Sequence, residues 1–252
     1  MTNTAVSENE KRENIFRKFQ IEKFKRNKSV PCVSMTVDIC INQLESKRQI
    51  YNKTNDKISL THLIIKSASI SLKLFPVLYS YFDGKDIIKS KLIKINLPVS
   101  ENNHVEYVMI ESPELKTLQE ISVIVRNEAS KIKEGKGYFY LKLKKLFALP
   151  YFVRSFMSNI PSSNIKYAYE NYGNFPVTNF GSFNVKNGIP VLSSPICSVL
   201  CIGMIQKDET IGKSLLPVTL VFDHRPIDGA YGGKFLNELK DLIENRTDLI
   251  FK

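Results

Sequence analysis

The sequence predicts one α/β domain, and three observations predict it. Apolar residues Val33, Met35, Val37 and Ile39 alternate with Ser34, Thr36 and Asp38, the period-2 pattern of a half-buried strand. A long amphipathic helix opens at Ser59 and runs through Leu63, Ile64, Ile65, Ala68 and Leu72 until Pro76 ends it. Near the C-terminus an apolar strand over 215–222 runs into a short polar loop and then a helix over 230–244. No internal repeat and no linker rich in Pro, Gly or Ser divides the 252 residues, which suffice for one full core.

The remaining elements follow in order. Residues 1–12 are polar and charged and are expected to be a tail leading into a helix over 8–28, so the domain proper is set at 13–252. A short helix is expected over 42–51. Asp83-Gly84 signals a turn before strands at 87–88, 92–98 and 104–110, and a helix follows over 115–132. The stretch 138–157 is aromatic and basic and is broken by Pro150. A membrane-surface helix and a pair of short helices, packed on the domain or lining a substrate channel, are both open, and the pair is preferred. Strands at 175–185 and 198–205 precede the final strand–loop–helix unit, whose helical face carries Phe235, Leu236, Leu239, Leu242 and Ile243.

Composition narrows the functional classes. The net charge is +11, but Lys and Arg are scattered, with local runs only at 23–28 and 142–145. A solvated face or a site for a phosphorylated ligand fits better than nucleic acid. No apolar run approaches the ~18 residues of a membrane span, and a cytoplasmic protein with no membrane association is expected. Cys32, Cys40, Cys197 and Cys201 have no histidine at zinc-ligand spacing, so they are expected to be small core residues, with no metal site.

Chemistry points to the loop after the last strand, Asp223-His224-Arg225-Pro226-Ile227-Asp228-Gly229. A loop on a strand–helix frame can fix a base in place, and imidazole takes a proton near neutral pH. Asp228 is close enough to organise the loop or pair with a cation, and Gly229 can take a backbone shape closed to other residues. On spacing alone, a structural histidine is about as good a reading. Of the other two histidines, His62 is expected near a helix cap and His104 in an exposed turn without a carboxylate partner.

His224-x-x-x-Asp228-Gly229 resembles the active-site motif of the catalytic domain of 2-oxo acid dehydrogenase acyltransferases, within the chloramphenicol acetyltransferase-like superfamily. Asp223 before the histidine is closer to the dehydrogenase branch than to the antibiotic-modifying one. Matching segments occur in order: Val30-Pro31-Cys32 into the first strand, Lys57-Ile58-Ser59 into a helix, and Val177-Thr178-Asn179-Phe180-Gly181. The likeness spans about residues 17–250.

The resemblance implies a two-layer sandwich of helices on a mixed β-sheet, assembled as a homotrimer, with acyl-CoA as co-substrate. It implies that His224 is the general base, that the Thr178 hydroxyl stabilises the oxyanion, and that the two come from neighbouring chains. It implies that Asp228 holds the loop through an ion pair, with Arg17 of the first helix as a candidate partner. Family members carry lipoyl and subunit-binding domains, whereas here the match starts almost at once. A stand-alone form without a lipoyl attachment site is therefore expected, with the acceptor unassigned. The segment at about 134–173 is longer than the family's usual connection and is expected to be an insertion. Three alternatives stay open: an antibiotic O-acetyltransferase, a dehydrogenase-complex core served by a separate lipoyl protein, and a non-catalytic trimeric scaffold.

Overall fold

The computed structural model describes residues 7–25, 30–101, 103–158, 161–210 and 212–252. Helix α1 (Glu8–Lys25) leads into β1 (Cys32–Cys40), α2 (Asn42–Thr54) and α3 (Leu60–Leu72). A small hairpin, β2 (Tyr81–Phe82) and β3 (Ile87–Ile88), precedes the long hairpin β4 (Lys94–Glu101) and β5 (His104–Glu111). Four helices follow: α4 (Leu118–Lys133), α5 (Tyr138–Phe147), α6 (Tyr151–Ser158) and α7 (Pro161–Asn171). The chain closes with β6 (Phe175–Asn179), β7 (Ser198–Ile202), β8 (Gln206–Asp208), β9 (Lys213–Asp223) and α8 (Gly229–Asn245). The expected tail at 1–6 and residues 26–28 of the expected first helix lie outside the described residues, as do the side chains of the basic run at 23–28.

The main sheet is mixed, in the order β1-β9-β7-β6-β4-β5, with β8 pairing with β9. β6 runs parallel to β4 and β7, and the other pairs are antiparallel. Period 2 fixes which side chains face in. Val218, Leu220 and Phe222 of β9 enter a core with Ile95, Val177 and Leu200, closed by Leu63, Ile64 and Ala68 of α3 and Phe235, Leu239 and Leu242 of α8. The opposite face carries a second cluster in which Val199 and Val221 meet Phe16 and Phe19 of α1 and Phe139 and Leu143 of α5. Each fully buried Phe or Leu contributes roughly 1.5–3 kcal/mol.

Local chemistry sets the helix boundaries. Ser59 caps α3 by accepting from the His62 backbone N–H, and His62 Nδ1 accepts from the Ser59 N–H at 3.2 Å, a capping box. Thr117 and Glu120 do the same for α4, which starts three residues later than expected because Pro113–Leu115 forms a 3-10 turn. Pro150 separates α5 from α6, giving the expected pair of short helices.

Several expectations are corrected. The strand expected over 175–185 stops at Asn179, whose side chain accepts from the Ser182 N–H and starts a 3-10 turn. Gly181 is packed against the Gly203 carbonyl there, so no side chain fits. Arg12, assigned to the polar tail, is 5% exposed inside α1, ion-pairs with Glu106 and donates to the Ile132 carbonyl at 2.6 Å. His104, expected to be exposed, is buried, stacked on Phe16 at 4.6 Å, with Nε2 3.3 Å from Glu106. The i, i+2 spacing of His104 and Glu106 in a strand puts both on one face, which is the signal the sequence reading missed. Of the four free cysteines only Cys197 and Cys201 are buried, whereas Cys32 is exposed on the edge strand β1.

Candidate active site

The loop after β9 is pinned from three sides. The Asp223 N–H donates to the Cys197 carbonyl at 3.0 Å, and the His224 N–H to the Pro31 carbonyl at 2.8 Å. Ile227 is driven into the core at 2% exposure, so the loop is anchored at its far end too. The His224 side chain stays exposed, edge-on to Phe222 at 6.2 Å between ring centres. Its Nδ1 lies 2.9 Å from the Ile227 carbonyl oxygen. A carbonyl can only accept, so this bond requires the proton on Nδ1 and leaves the lone pair of the neutral ring on Nε2.

The ion pair of this loop is not the one the sequence suggested. Asp223 is 3% exposed and accepts from Arg225 Nε at 2.9 and 3.1 Å and from Nη2 at 2.6 Å, and it also takes the Arg225 backbone N–H. The Arg225 guanidinium lies over the Phe82 ring at 4.9 Å. Its hydrogen bonds to Asp223 raise its already high pKa. Asp228 instead caps α8: its carboxylate accepts the Tyr231 N–H at 2.7 Å, and it makes no ion pair among the described residues. Arg17 lies elsewhere, lining a cleft with Glu13, Phe16 and His104. Gly229 has no positive φ and its missing Cβ would meet open space, whereas a Cβ at Gly232 would lie 2.8 Å from the Phe222 ring.

Thr178 sits on the outer face of β6 and lines a cavity of about 140 Å³ with Asn96, Tyr107, Tyr172 and Ser193. Burial raises the pKa values of Tyr107 and Tyr172, so both are neutral phenols near physiological pH. Within one chain Thr178 and His224 do not meet. Thr178 pairs with Cys201, and Cys201 with Thr219, two strands across. From Thr219 to the strand end at Asp223 is a further ~13 Å, which places the two residues more than ~15 Å apart. Among the described residues no group of His, Cys, Asp and Glu could hold a metal ion, and no helix is long and apolar enough to cross a membrane.

The fold is that of the acyltransferases related to chloramphenicol acetyltransferase. The chain superposes on a probable dihydrolipoamide acetyltransferase from Listeria monocytogenes with a TM-score of 0.70 and 20% identity, covering 96% of this chain and 94% of that one. It superposes on chloramphenicol acetyltransferase with a TM-score of 0.54 and 13% identity, over 94% and 96% of the two chains. The family model for the 2-oxoacid dehydrogenases acyltransferase (catalytic domain) matches residues 6–138 and 156–251, so the chain belongs to that family and is an acyltransferase domain. Among curated relatives, the acetyltransferase component of the acetoin cleaving system of Bacillus subtilis is 26% identical over 200 residues, 77% of this chain and 43% of that protein. Component 3 of the mitochondrial pyruvate dehydrogenase complex of Arabidopsis thaliana is 28% identical over 236 residues, 88% and 39% respectively. The chain thus spans less than half the length of these relatives. The family model leaves 139–155 unmatched, which is most of α5 and the start of α6.

Proposed function

We propose that this domain transfers an acyl group from a CoA thioester to an acceptor thiol, hydroxyl or amine, with His224 as general base. The observation that carries this is the Nδ1 contact to the Ile227 carbonyl, which orients the ring and presents Nε2 as a base. The acceptor's proton passes to Nε2 as its heteroatom bonds to the thioester carbon. The carbonyl electron pair moves to oxygen, where the Thr178 hydroxyl of a neighbouring copy donates to the oxyanion. When the carbonyl re-forms, the carbon–sulfur bond breaks and the imidazolium returns its proton to the CoA thiolate.

The separation of Thr178 from His224 within one chain supports an assembly, taken here as a homotrimer, in which each site is shared. Asp223, Arg225 and Asp228 hold the loop and do not touch the reacting atoms. The excess of cations suits the phosphates of CoA. A dihydrolipoyl group is the favoured acceptor class, because the curated relatives are named dihydrolipoyllysine-residue acetyltransferases. The antibiotic reading is weaker, since Asp223 occupies the position before the base.

The test uses purified protein with acetyl-CoA and dihydrolipoamide, separating free CoA and S-acetyldihydrolipoamide from the substrates by liquid chromatography. Turnover is expected in the wild type, and its loss in His224→Ala. Turnover that survives this substitution would remove His224 from the role of base.

A further inference from the structure

The cavity beside Thr178 contains a polar group that the mechanism does not use. Asn96 is 2% exposed, yet its side-chain amide makes no hydrogen bond to a described residue, and its Oδ1 is buried without a partner. Another buried asparagine of the same region behaves differently. Asn174 accepts the Lys94 N–H at 2.8 Å and donates to the Leu92 carbonyl at 2.7 Å, so its amide is occupied in holding the strand. Burying an amide without partners destabilises the fold, so Asn96 calls for a partner, and the cavity gives a ligand access to it.

Its place on the sheet says which part of a ligand. Asn96 pairs with Pro176, two residues before Thr178, and both line the same cavity. Strand spacing puts the two Cα atoms roughly 8 Å apart. A reacting carbonyl held at the Thr178 hydroxyl therefore has atoms a few bonds away within reach of the Asn96 amide. The cavity, at about 140 Å³, is well below the ~300–1,000 Å³ of a site that encloses a whole small molecule, so it takes a substituent. Tyr107 and Tyr172 give it aromatic walls, and Phe139 of α5 packs on both, at 5.0 and 5.4 Å between ring centres. Phe139 lies in the segment that the family model leaves unmatched.

We propose that Asn96 is a specificity-determining residue, and that this cavity selects a substrate bearing a hydroxyl a few bonds from its reacting centre. A hydroxyl can both donate to Oδ1 and accept from Nδ2, so it satisfies the amide completely. This rests on the acyltransferase reading and on Thr178 facing the reacting carbonyl. The substituent comes either from the acyl group or from the acceptor, and the chemistry is the same.

Two pairs of probes separate these sources. In the first arm 3-hydroxybutyryl-CoA is compared with butyryl-CoA, with dihydrolipoamide as acceptor. In the second, 2,3-dimercaptopropan-1-ol is compared with propane-1,2-dithiol, with acetyl-CoA as donor. In one arm the hydroxylated member should have a kcat/KM higher by at least about tenfold, and Asn96→Leu should abolish that preference. Asn96→Leu should also raise the melting temperature of the free protein, because an unpaired amide is replaced by apolar volume; a structural asparagine would give a fall. Acetyl transfer to dihydrolipoamide with no preference in either wild-type arm overturns the assignment of Asn96 and leaves the acyltransferase reading standing. Absence of any transfer defeats that reading instead. The cavity is then judged by melting shifts: equal shifts of wild type with 3-hydroxybutyryl-CoA and butyryl-CoA overturn the proposal.

Discussion

His224 and Ile227 are bound by one contact that joins the candidate base to the core. The imidazole Nδ1 meets the Ile227 carbonyl at 2.9 Å, while the Ile227 side chain is 2% exposed among the residues that close α8 on the sheet. The tautomer of the candidate base therefore depends on how a buried hydrophobic side chain is anchored. Ile227→Ala is expected to cost about 2–5 kcal/mol of stability through the cavity it leaves. It is also expected to lower kcat by up to about 10²-fold, as the ring loses its fixed orientation. Denaturant melts and steady-state kinetics check both, and unchanged kcat in a destabilised protein would show that the carbonyl contact does not orient the base.

The distance between Thr178 and His224 along the sheet predicts complementation. Thr178→Ala should lower kcat by about 10²–10³-fold, and His224→Ala should remove measurable turnover. If each site takes its base from one copy and its hydroxyl from the next, co-refolding equal amounts of the two inactive variants restores some intact sites. Random assembly into rings gives about one quarter of the sites both groups. Specific activity near that fraction is expected, whereas no recovery in mixed assemblies would place both groups in one subunit.

Two aspartates of the loop should separate in their effects. Asp228 caps α8 through the Tyr231 N–H, so Asp228→Asn, which retains an acceptor, should cost only tenths of a kcal/mol, and Asp228→Ala about 1 kcal/mol. Asp223 is 3% exposed and neutralises Arg225 from two sides. Asp223→Ala removes the acceptor of both the Arg225 guanidinium and its backbone N–H and should cost about 2 kcal/mol. Melting temperatures of the three variants rank these costs, and a larger loss in Asp228→Ala than in Asp223→Ala would reverse the assignment.

The sequence made the frame of this site legible because its signals are periodic and local. The alternation in β1, the Pro76 stop after α3 and the apolar stripe of α8 depend only on which faces are buried, and each appears where expected to within a few residues. What escaped depended on partners distant in sequence. His104 looked like an exposed turn residue because Arg12, Phe16 and Tyr140, which enclose its neighbourhood, come from α1 and α5. The glycine this region requires is Gly232 rather than Gly229, and for want of a side chain rather than for backbone freedom, because only the folded chain brings the Phe222 ring under that helix turn. Asn96 gave no signal at all: an asparagine in a strand reads as polar surface until the cavity around it is known.

The capping box of α3 should make stability depend on pH through His62. Burial, and then the nearby Arg126 cation, lower its pKa from 6.5 to about 4 in the folded chain. Between those values the unfolded chain binds the proton and the folded chain does not. The histidine's contribution is thus fully present above about pH 6.5 and is lost as the pH falls toward 4. The geometry gives the same sign, since a protonated Nδ1 cannot accept the Ser59 N–H. His62→Gln keeps an acceptor suited to the third helical position but cannot titrate. Relative to this variant, the wild type should lose on the order of 1 kcal/mol, the worth of a cap, between pH 7 and 4.5. Thermal melts of both proteins across that range measure the difference directly, and taking it between two proteins cancels the carboxylates that titrate in each. A difference that stays constant with pH would mean that the ring accepts no hydrogen bond from Ser59.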